Sequence, residues 1–286
     1  MNHLLFVYGT LRKYQNNHHY IEKSKLVAEQ ASISGVLVDT KEGYPALTLG
    51  KGTVYGEVYQ VDKETLKRVD QLEEFKEEMH AHNLYQRKLV KVMTDSGELE
   101  ALTYYMNEAE VKGLPIISSG DWKENQLIHR NQPFIYYFAF GSCMDVERFQ
   151  LAKVDHHFTK VIGAGKLKNY STRFTINHID GGRADLVEDG GRTEGILYQI
   201  PYEAVLYLYE REGVDIGHYR PSFVDIEVDG TLVKDCLTFL VKEKEEESAP
   251  PDHYFTEILR GAKGRLSDDY MNLLEKHVER LLGNKG

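Results

Sequence analysis

The chain contains 286 residues, a length that is typical of two domains of ordinary size rather than one. Hydrophobic residues make up 41% and charged residues 28%, so each half can bury a core. The formal net charge is −10, from 35 basic and 45 acidic residues, and it argues against a nucleic-acid partner, because binding to a phosphate backbone requires a positive surface.

Features of secreted, membrane and metal-binding proteins are missing from the sequence. The two cysteines are too few for a disulfide framework. The first apolar run covers only Leu4–Val7, and no stretch approaches the ~18 apolar residues of a membrane span. His80 and His82 could face one metal ion from a strand, but no carboxylate or cysteine signature accompanies them. We therefore expect a cytoplasmic protein with no membrane partner and no metal, of undetermined oligomeric state.

The first half begins with a predicted strand that breaks at a glycine. Leu4–Tyr8 is rich in branched and aromatic residues, and Gly9-Thr10-Leu11 follows it. A glycine there allows a sharp turn and brings backbone N–H groups close to a ligand. Asp62 is the predicted N-cap of a helix whose apolar residues reach Leu72. Further strands are predicted at Ser32–Val38, Gly52–Gln60, Lys88–Met93 and Ala101–Met106.

A connector is predicted between the two halves. It covers residues 113–133, between domains at 1–112 and 134–286, and has helical character at Asp121–Arg130, where Trp122 is the only tryptophan of the chain.

The second half repeats the order of the first. The strand Ile135–Ala139 runs into Phe140-Gly141-Ser142-Cys143-Met144, and Glu212 follows a short predicted helix as Glu73 does in the first half. A tyrosine and an arginine come after each glutamate. This repetition predicts a duplicated domain. The remaining predicted elements are strands at Glu194–Ile200, Phe223–Val228 and Leu237–Val241, and helices at Tyr202–Tyr209, Tyr254–Gly261 and Asp268–Leu282.

Short motifs in both halves match one family in order and spacing. The chain resembles a tandem γ-glutamylcyclotransferase-like protein over nearly its whole length. The first half is similar to the branch that acts on γ-glutamylamines, and the second to the branch that acts on γ-glutamyl amino acids. The matching segments are Tyr8-Gly9-Thr10-Leu11, Gly43-Tyr44-Pro45-Ala46-Leu47, Val54-Tyr55-Gly56-Glu57-Val58-Tyr59, Phe138-Ala139-Phe140-Gly141-Ser142, Gly195-Ile196-Leu197-Tyr198 and Glu212-Gly213-Val214.

The resemblance implies a fold and a reaction. The fold is α+β, with two γ-glutamylcyclotransferase-like domains, each a small curled mixed β-sheet or barrel flanked by helices. The enzyme would cleave a small-molecule γ-glutamyl substrate by cyclisation, releasing 5-oxoproline and a free amine or amino acid. Because the substrate's own α-amino nitrogen attacks its γ-carbonyl, the reaction needs a base and oxyanion donors, and we expect no cofactor.

The resemblance also assigns roles to individual residues. Glu73 and Glu212 are the expected acid–base catalysts, with pKa values raised by partial burial. The residues expected to bind substrate are Tyr8, Gly9, Thr10, Leu11 and Tyr85 in the first half, and Phe140, Gly141, Ser142, Cys143, Met144 and Tyr219 in the second.

Three alternatives stay open from the sequence. Glu74 adjoins Glu73 and could be the base instead. The second half has Phe140 and Cys143 where its branch commonly has Tyr and Asn, so its substrate range is open. Either half could also be a non-catalytic binding module for small carboxylated ligands.

Overall fold

The computed structural model describes residues 2–76, 83–129 and 133–283. The chain divides into two compact units, residues 1–130 and 131–286. His80 and His82 lie outside the described residues. Within the described ranges, no helix is both long and apolar enough to span a membrane.

The first unit is built on a closed five-stranded barrel with the strand order β1-β3-β2-β4-β5. Strand β1 pairs antiparallel with β3 and parallel with β5. The strands are β1 (His3–Val7), β2 (Lys25–Asp39), β3 (Pro45–Val61), β4 (Gln86–Thr94) and β5 (Gly97–Tyr105), and the helices are α1 (Lys63–Leu72), α2 (Glu108–Val111) and α3 (Trp122–His129).

The second unit contains a closed barrel with the strand order β10-β6-β8-β7-β9. Strand β6 pairs antiparallel with β8 and parallel with β10. The strands are β6 (Ile135–Ala139), β7 (Val161–His178), β8 (Gly181–Ile200), β9 (Tyr219–Val228) and β10 (Thr231–Val241), and the helices are α4 (Val146–Leu151), α5 (Glu203–Arg211), α6 (Asp252–Ala262) and α7 (Asp268–Gly283).

The two barrels share one topology, and matching contacts recur in both. The Thr103 hydroxyl donates to the Phe6 carbonyl at 3.2 Å, and the Thr238 hydroxyl donates to the Phe138 carbonyl at 3.1 Å. The predicted α+β fold with two barrel domains is confirmed, and each domain has helices in addition to its mixed sheet.

Strand β1 is apolar from Leu4 to Val7, and its last three residues are buried on both faces of the strand. Leu5 and Val7 pack in one cluster with Val69 of α1, whereas Phe6 packs in the other cluster with Trp122. The Asp62 carboxylate accepts the Thr65 N–H at 2.7 Å, which caps the start of α1 as the sequence predicts. Helix α1 follows β3 in the chain, and its last turn ends directly before Glu73.

The predicted connector at 113–133 packs in large part on the first barrel. The Ile117 N–H donates to the Leu37 carbonyl at 2.8 Å, and the Tyr55 N–H donates to the Gly120 carbonyl at 2.9 Å. Trp122 is 2% exposed. Burial of this large side chain against the barrel explains why this segment belongs to the first unit.

Strand β7 was not predicted from the sequence. Its first part contains Gly163 and Gly165, which weaken a strand pattern. A Cβ atom on Gly165 would lie 2.4 Å from the Ile226 side chain, so the glycine is required by a close packing contact rather than by a turn.

Candidate active site

A cavity of about 380 Å³ lies in the first unit between the loop after β1 and the end of α1. All six residues that the sequence assigns to the first site line it. Those six are Tyr8, Gly9, Thr10, Leu11, Glu73 and Tyr85, and they are joined by Asn16, Asn17, Glu42, Tyr44, Pro45, Leu72, Glu74, Leu84 and Tyr104, among others.

The loop after β1 presents free backbone donors. The Arg12 N–H donates to the Gly9 carbonyl at 3.1 Å, which closes a tight turn. Among the described residues, no acceptor lies within hydrogen-bonding distance of the N–H groups of Thr10 and Leu11. A Cβ atom on Gly9 would lie 2.8 Å from the Pro45 ring, so only glycine permits this approach. The loop can therefore donate two hydrogen bonds to an anionic oxygen in the cavity.

Glu73 caps the end of α1 and faces the same cavity. Its N–H donates to the Val69 carbonyl at 2.9 Å, and its backbone has φ −84° and ψ 7°. Within the described part of the chain, no side chain hydrogen-bonds to the Glu73 carboxylate. Burial raises the pKa of Glu73 to about 7. A carboxyl group with that pKa can accept and return a proton near neutral pH.

Glu74 lies beside Glu73 but differs in conformation and environment. It has φ 52°, in the left-handed region, and its side chain is exposed. Glycine is the usual residue at this position after a helix, and the second unit has Gly213 there with φ 62°. The geometry therefore favours Glu73 over Glu74 as the base.

Two tyrosines frame the first cavity. The Leu47 N–H donates to the Tyr8 hydroxyl at 3.4 Å, and the Tyr85 hydroxyl donates to the Pro45 carbonyl at 3.5 Å. Burial and then the negative charge of Glu73 raise the pKa of Tyr85 well above its usual value. Burial likewise raises the pKa of Tyr8, so both hydroxyls stay protonated. The Tyr8 proton can be donated to a ligand, whereas the Tyr85 proton is donated to Pro45.

In the second unit a much smaller cavity contains the equivalent residues. Its volume is about 20 Å³, room for about one water molecule. Six of the seven residues that the sequence assigns to the second site line it: Phe140, Gly141, Ser142, Cys143, Glu212 and Tyr219. The seventh, Met144, does not line it and is completely buried. The Met144 backbone instead packs against Gly261 of α6. A Cβ atom added to Gly261 would lie 2.7 Å from the Met144 carbonyl carbon.

Glu212 repeats the backbone geometry of Glu73 in a different electrostatic setting. Its φ and ψ are −84° and 0°, and its N–H donates to the Leu208 carbonyl at 2.9 Å. Burial raises the pKa of Glu212, whereas the positive charge of Arg211, 3.4 Å from the carboxylate, opposes that rise. Arg211 also donates to the Ser142 hydroxyl at 3.3 Å. Arg211 cannot be recognised from the sequence, because nothing in its spacing distinguishes it from a surface arginine.

Tyr254 is a further residue of the second cavity that sequence reasoning missed. It comes from α6, and its hydroxyl accepts the Ala184 N–H at 3.2 Å. The Tyr219 hydroxyl donates to the Ala184 carbonyl at 2.7 Å, as Tyr85 does to Pro45 in the first unit. Ala184 therefore takes the place of Pro45 in the second unit, and Tyr254 fills space beside it.

The first cavity brings a carboxyl group with a raised pKa to a loop with free N–H donors, and the second brings a carboxyl group with a raised pKa to the equivalent loop. Such an arrangement suits proton transfer at an amine together with stabilisation of a developing oxyanion. In the described ranges, no group of three or more His, Cys, Asp or Glu side chains is placed to hold a metal ion.

Comparisons with known proteins place both units in related families. Residues 5–124 match the family of γ-glutamyl cyclotransferases, AIG2-like, and residues 192–274 match the AIG2-like family. The chain is 50% identical to the γ-glutamylcyclotransferase-family protein YkqA of Bacillus subtilis (strain 168), over 98% of this chain and 99% of YkqA. The crystal structure of YkqA superposes with a TM-score of 0.89 at 48% identity, covering 98% of this chain and 99% of that one. The γ-L-glutamyl-butirosin B γ-glutamyl cyclotransferase of Niallia circulans is 42% identical over 44% of this chain and 78% of its own length.

Proposed function

This chain belongs to the γ-glutamylcyclotransferase family and is a cyclotransferase enzyme, and we propose that its first unit converts a γ-glutamyl compound to 5-oxoproline and a free amine. The observation that supports this most directly is the Glu73 carboxyl, which has a pKa of about 7 and borders a cavity of about 380 Å³ beside the free N–H groups of Thr10 and Leu11.

The proposed reaction is an internal amide exchange. The substrate's α-nitrogen forms a bond to its own γ-carbon, and the bond from that carbon to the leaving nitrogen then breaks. The α-ammonium nitrogen loses two protons, because the lactam nitrogen keeps only one, and the leaving nitrogen gains two as it departs as an ammonium ion, so no water is consumed. Since both reacting atoms belong to one molecule, the enzyme contributes mainly orientation, proton transfer and oxyanion stabilisation.

Glu73 is the proposed acid–base residue. As a carboxylate it accepts the proton of the α-ammonium group, and as a carboxylic acid it protonates the leaving nitrogen. A pKa of about 7 suits both steps, because the two protonation states are then of similar energy near neutral pH.

The loop at Gly9 is proposed to stabilise the negative charge that forms on the γ-carbonyl oxygen. The N–H groups of Thr10 and Leu11 supply two fixed donors, and the Tyr8 hydroxyl, which accepts from the Leu47 N–H and keeps its own proton, is a further donor at the cavity wall. Following the branch that the first half resembles, we propose γ-glutamylamines as its substrates.

The second unit is proposed to retain the fold and the glutamate without an open substrate cavity. A γ-glutamyl group does not fit a space of about 20 Å³, and the Arg211 side chain pairs with Glu212, which lines this space. The expectation that Glu212 is a second catalytic residue remains a prediction. A non-catalytic role for this unit is the second candidate, supported by the small cavity.

The test is to incubate the full chain with a γ-glutamylamine, a γ-glutamyl amino acid and glutathione, and to measure 5-oxoproline and free glutamate by mass spectrometry. We expect 5-oxoproline without glutamate, and the highest rate with the γ-glutamylamine. Release of glutamate would indicate hydrolysis and contradict the cyclisation. Saturable binding of all three compounds without any product would favour the binding-module alternative.

A further inference from the structure

The loop with the free N–H groups is followed by a buried network of charged residues. Arg12, Glu57, Asp121 and Lys123 are 5%, 1%, 2% and 5% exposed. Arg12 Nε donates to Glu57 Oε1 at 3.1 Å, and Arg12 Nη1 donates to Asp121 Oδ1 at 2.8 Å. The backbone N–H of Lys13 donates to Glu57 Oε2 at 2.8 Å. Glu57 therefore binds the two residues that directly follow Leu11.

The buried Glu57 carboxylate has a hydrogen-bond or ion-pair partner on each of its two oxygens. The Tyr59 hydroxyl donates to Glu57 Oε2 at 2.9 Å, and Lys123 Nζ lies 3.7 Å from Glu57 Oε1. Although burial opposes ionisation, the charges of Lys123 and Arg12 hold the pKa of Glu57 below its usual value. The loop is thus attached to strand β3 through an ionised carboxylate that holds it at two points.

The second unit makes the same turn with different charged residues: Arg265 donates to the Met144 carbonyl, and the buried Asp145 pairs with Arg260. In the strand registers Glu57 pairs with Val7 and Ile196 pairs with Ala139, so Ile196 takes the place of Glu57. The Met144 N–H donates to the Gly141 carbonyl at 3.0 Å, so Met144 takes the place of Arg12. The Arg12–Glu57 pair itself is therefore absent from the second unit, where Met144 and Ile196 take its place.

Stability alone is a weak reason for burying four charged side chains. Removing two ions from water costs free energy that their attraction often only offsets, and apolar replacements of a buried ion pair are frequently as stable. The Arg12–Glu57 pair occurs in the unit with the cavity of about 380 Å³, and an apolar pair replaces it in the unit with the cavity of about 20 Å³. A role in the larger site explains this difference.

We propose that Glu57 is a positioning residue of the first site, which fixes the loop through Arg12 and the Lys13 N–H so that the N–H groups of Thr10 and Leu11 face the oxyanion of the cyclisation. The proposal rests on the proposed function of that site. Glu57 lines no part of the cavity among the described residues and acts only through the loop.

The main test copies the apolar pair of the second unit into the first, with the double substitution Arg12→Met and Glu57→Ile. Both members of the pair are replaced together. Asp121 then loses Arg12 and Lys123 loses Glu57, but Asp121 still accepts the N–H of Lys123 at 2.7 Å and that of Glu124 at 3.2 Å. We expect the variant to fold and its kcat to fall by about 10²-fold, since a catalytic group displaced by about 1 Å can cost that much. KM should not change, because the oxyanion exists only after substrate has bound.

The pH dependence of the double variant separates positioning from a general structural defect. The rise of kcat/KM through about pH 7 should persist, because Glu73 is on α1 and is not touched. A folded double variant with the kcat of the parent overturns the proposal, and so does a rise in KM alone. If the double variant does not fold, Tyr59→Phe removes only one hydrogen bond to Glu57, and an unchanged kcat in that variant overturns the proposal.

A measurement that does not depend on turnover completes the test. Amide NMR signals of Thr10 and Leu11 are recorded in the parent chain and in the double variant, with and without 5-oxoproline. We expect single sharp signals that shift with 5-oxoproline in the parent only. Parent-like signals in the variant overturn the proposal even if the chain shows no cyclisation, and in that case the absence of 5-oxoproline release separately overturns the proposed function.

Discussion

Arg87 Nη1 donates to both carboxylate oxygens of Asp70, at 2.5 and 2.6 Å, and so joins strand β4 to the last turn of α1 just before Glu73. The Tyr104 hydroxyl donates to the same carboxylate at 2.7 Å. In the strand registers Tyr104 pairs with Arg87, and Phe239 pairs with Pro221. Arg87, Tyr104 and Asp70 thus form a polar cluster in the first unit. In the second unit Pro221 and Phe239 take the places of Arg87 and Tyr104. Tyr209 takes the place of Asp70 and packs against Phe239.

Loss of this cluster should destabilise the first unit. Arg87→Ala leaves the half-buried Asp70 without its cation, and hydrogen bonds to charged groups are worth about 1.5–3 kcal/mol. We expect a decrease of that order in the free energy of unfolding, measured by chemical denaturation. Lys88→Ala is the matched control, because Lys88 is the exposed neighbour on the same strand. Equal effects of the two substitutions would show that the ion pair contributes little.

Glu73→Gln should abolish most turnover. Glutamine keeps the size of the side chain but cannot accept the ammonium proton, so kcat should fall by about 10²–10⁴-fold while binding is largely retained. Glu74→Gln is the control, because the Glu74 side chain is exposed. A steady-state comparison that shows the larger loss in Glu74→Gln would transfer the role of base to Glu74.

The rate should rise with pH through the pKa of Glu73. The base must be a carboxylate in the free enzyme, and burial raises the pKa of Glu73 to about 7. Below that pH the group is protonated and inactive as a base, so kcat/KM should fall tenfold per pH unit on the acid side. A profile measured from pH 5 to 9 that is flat, or that bends near the ordinary pKa of glutamate, would contradict this role.

The same raised pKa predicts a pH-dependent cost to stability. A glutamate whose pKa is higher in the folded state favours folding while it is protonated, and this contribution is lost as the pH rises through about 7. Glutamine has no charge to bury. Thermal unfolding of Glu73→Gln should therefore match the parent near pH 4 and occur at a higher temperature than the parent at pH 8. A variant that is less stable than the parent at pH 8 would show that the carboxylate makes favourable contacts there.

Glu212→Gln should leave γ-glutamylamine turnover unchanged. The Glu212 cavity holds about 20 Å³, so substrate reaches only the first site in this arrangement. The measurement compares the parent, each single variant and the double variant with Glu73→Gln. Residual 5-oxoproline release in Glu73→Gln that disappears in the double variant would establish Glu212 as a second catalytic residue, and independent sites should give additive effects.

The sequence alone determined the duplication and much of the element order. Gly9 and Gly141 follow apolar strands, and the short helices before Glu73 and Glu212 are local patterns that capping and periodicity predict. The long strand β7 was missed because its glycines are required by close contacts with distant residues such as Ile226. Such contacts leave no local sequence pattern.

Only the tertiary structure decided how the two sites differ. The sequence presents Glu73 and Glu212 in similar contexts, but the volume of each cavity depends on side chains that arrive from elsewhere in the chain, such as Tyr254 of α6. The raised pKa of Glu73 likewise follows from burial, which depends on the closed barrel rather than on neighbouring residues. The buried pair of Arg12 and Glu57 is separated by more than forty positions in the chain, and only the pairing of β1 with β3 brings its members into contact.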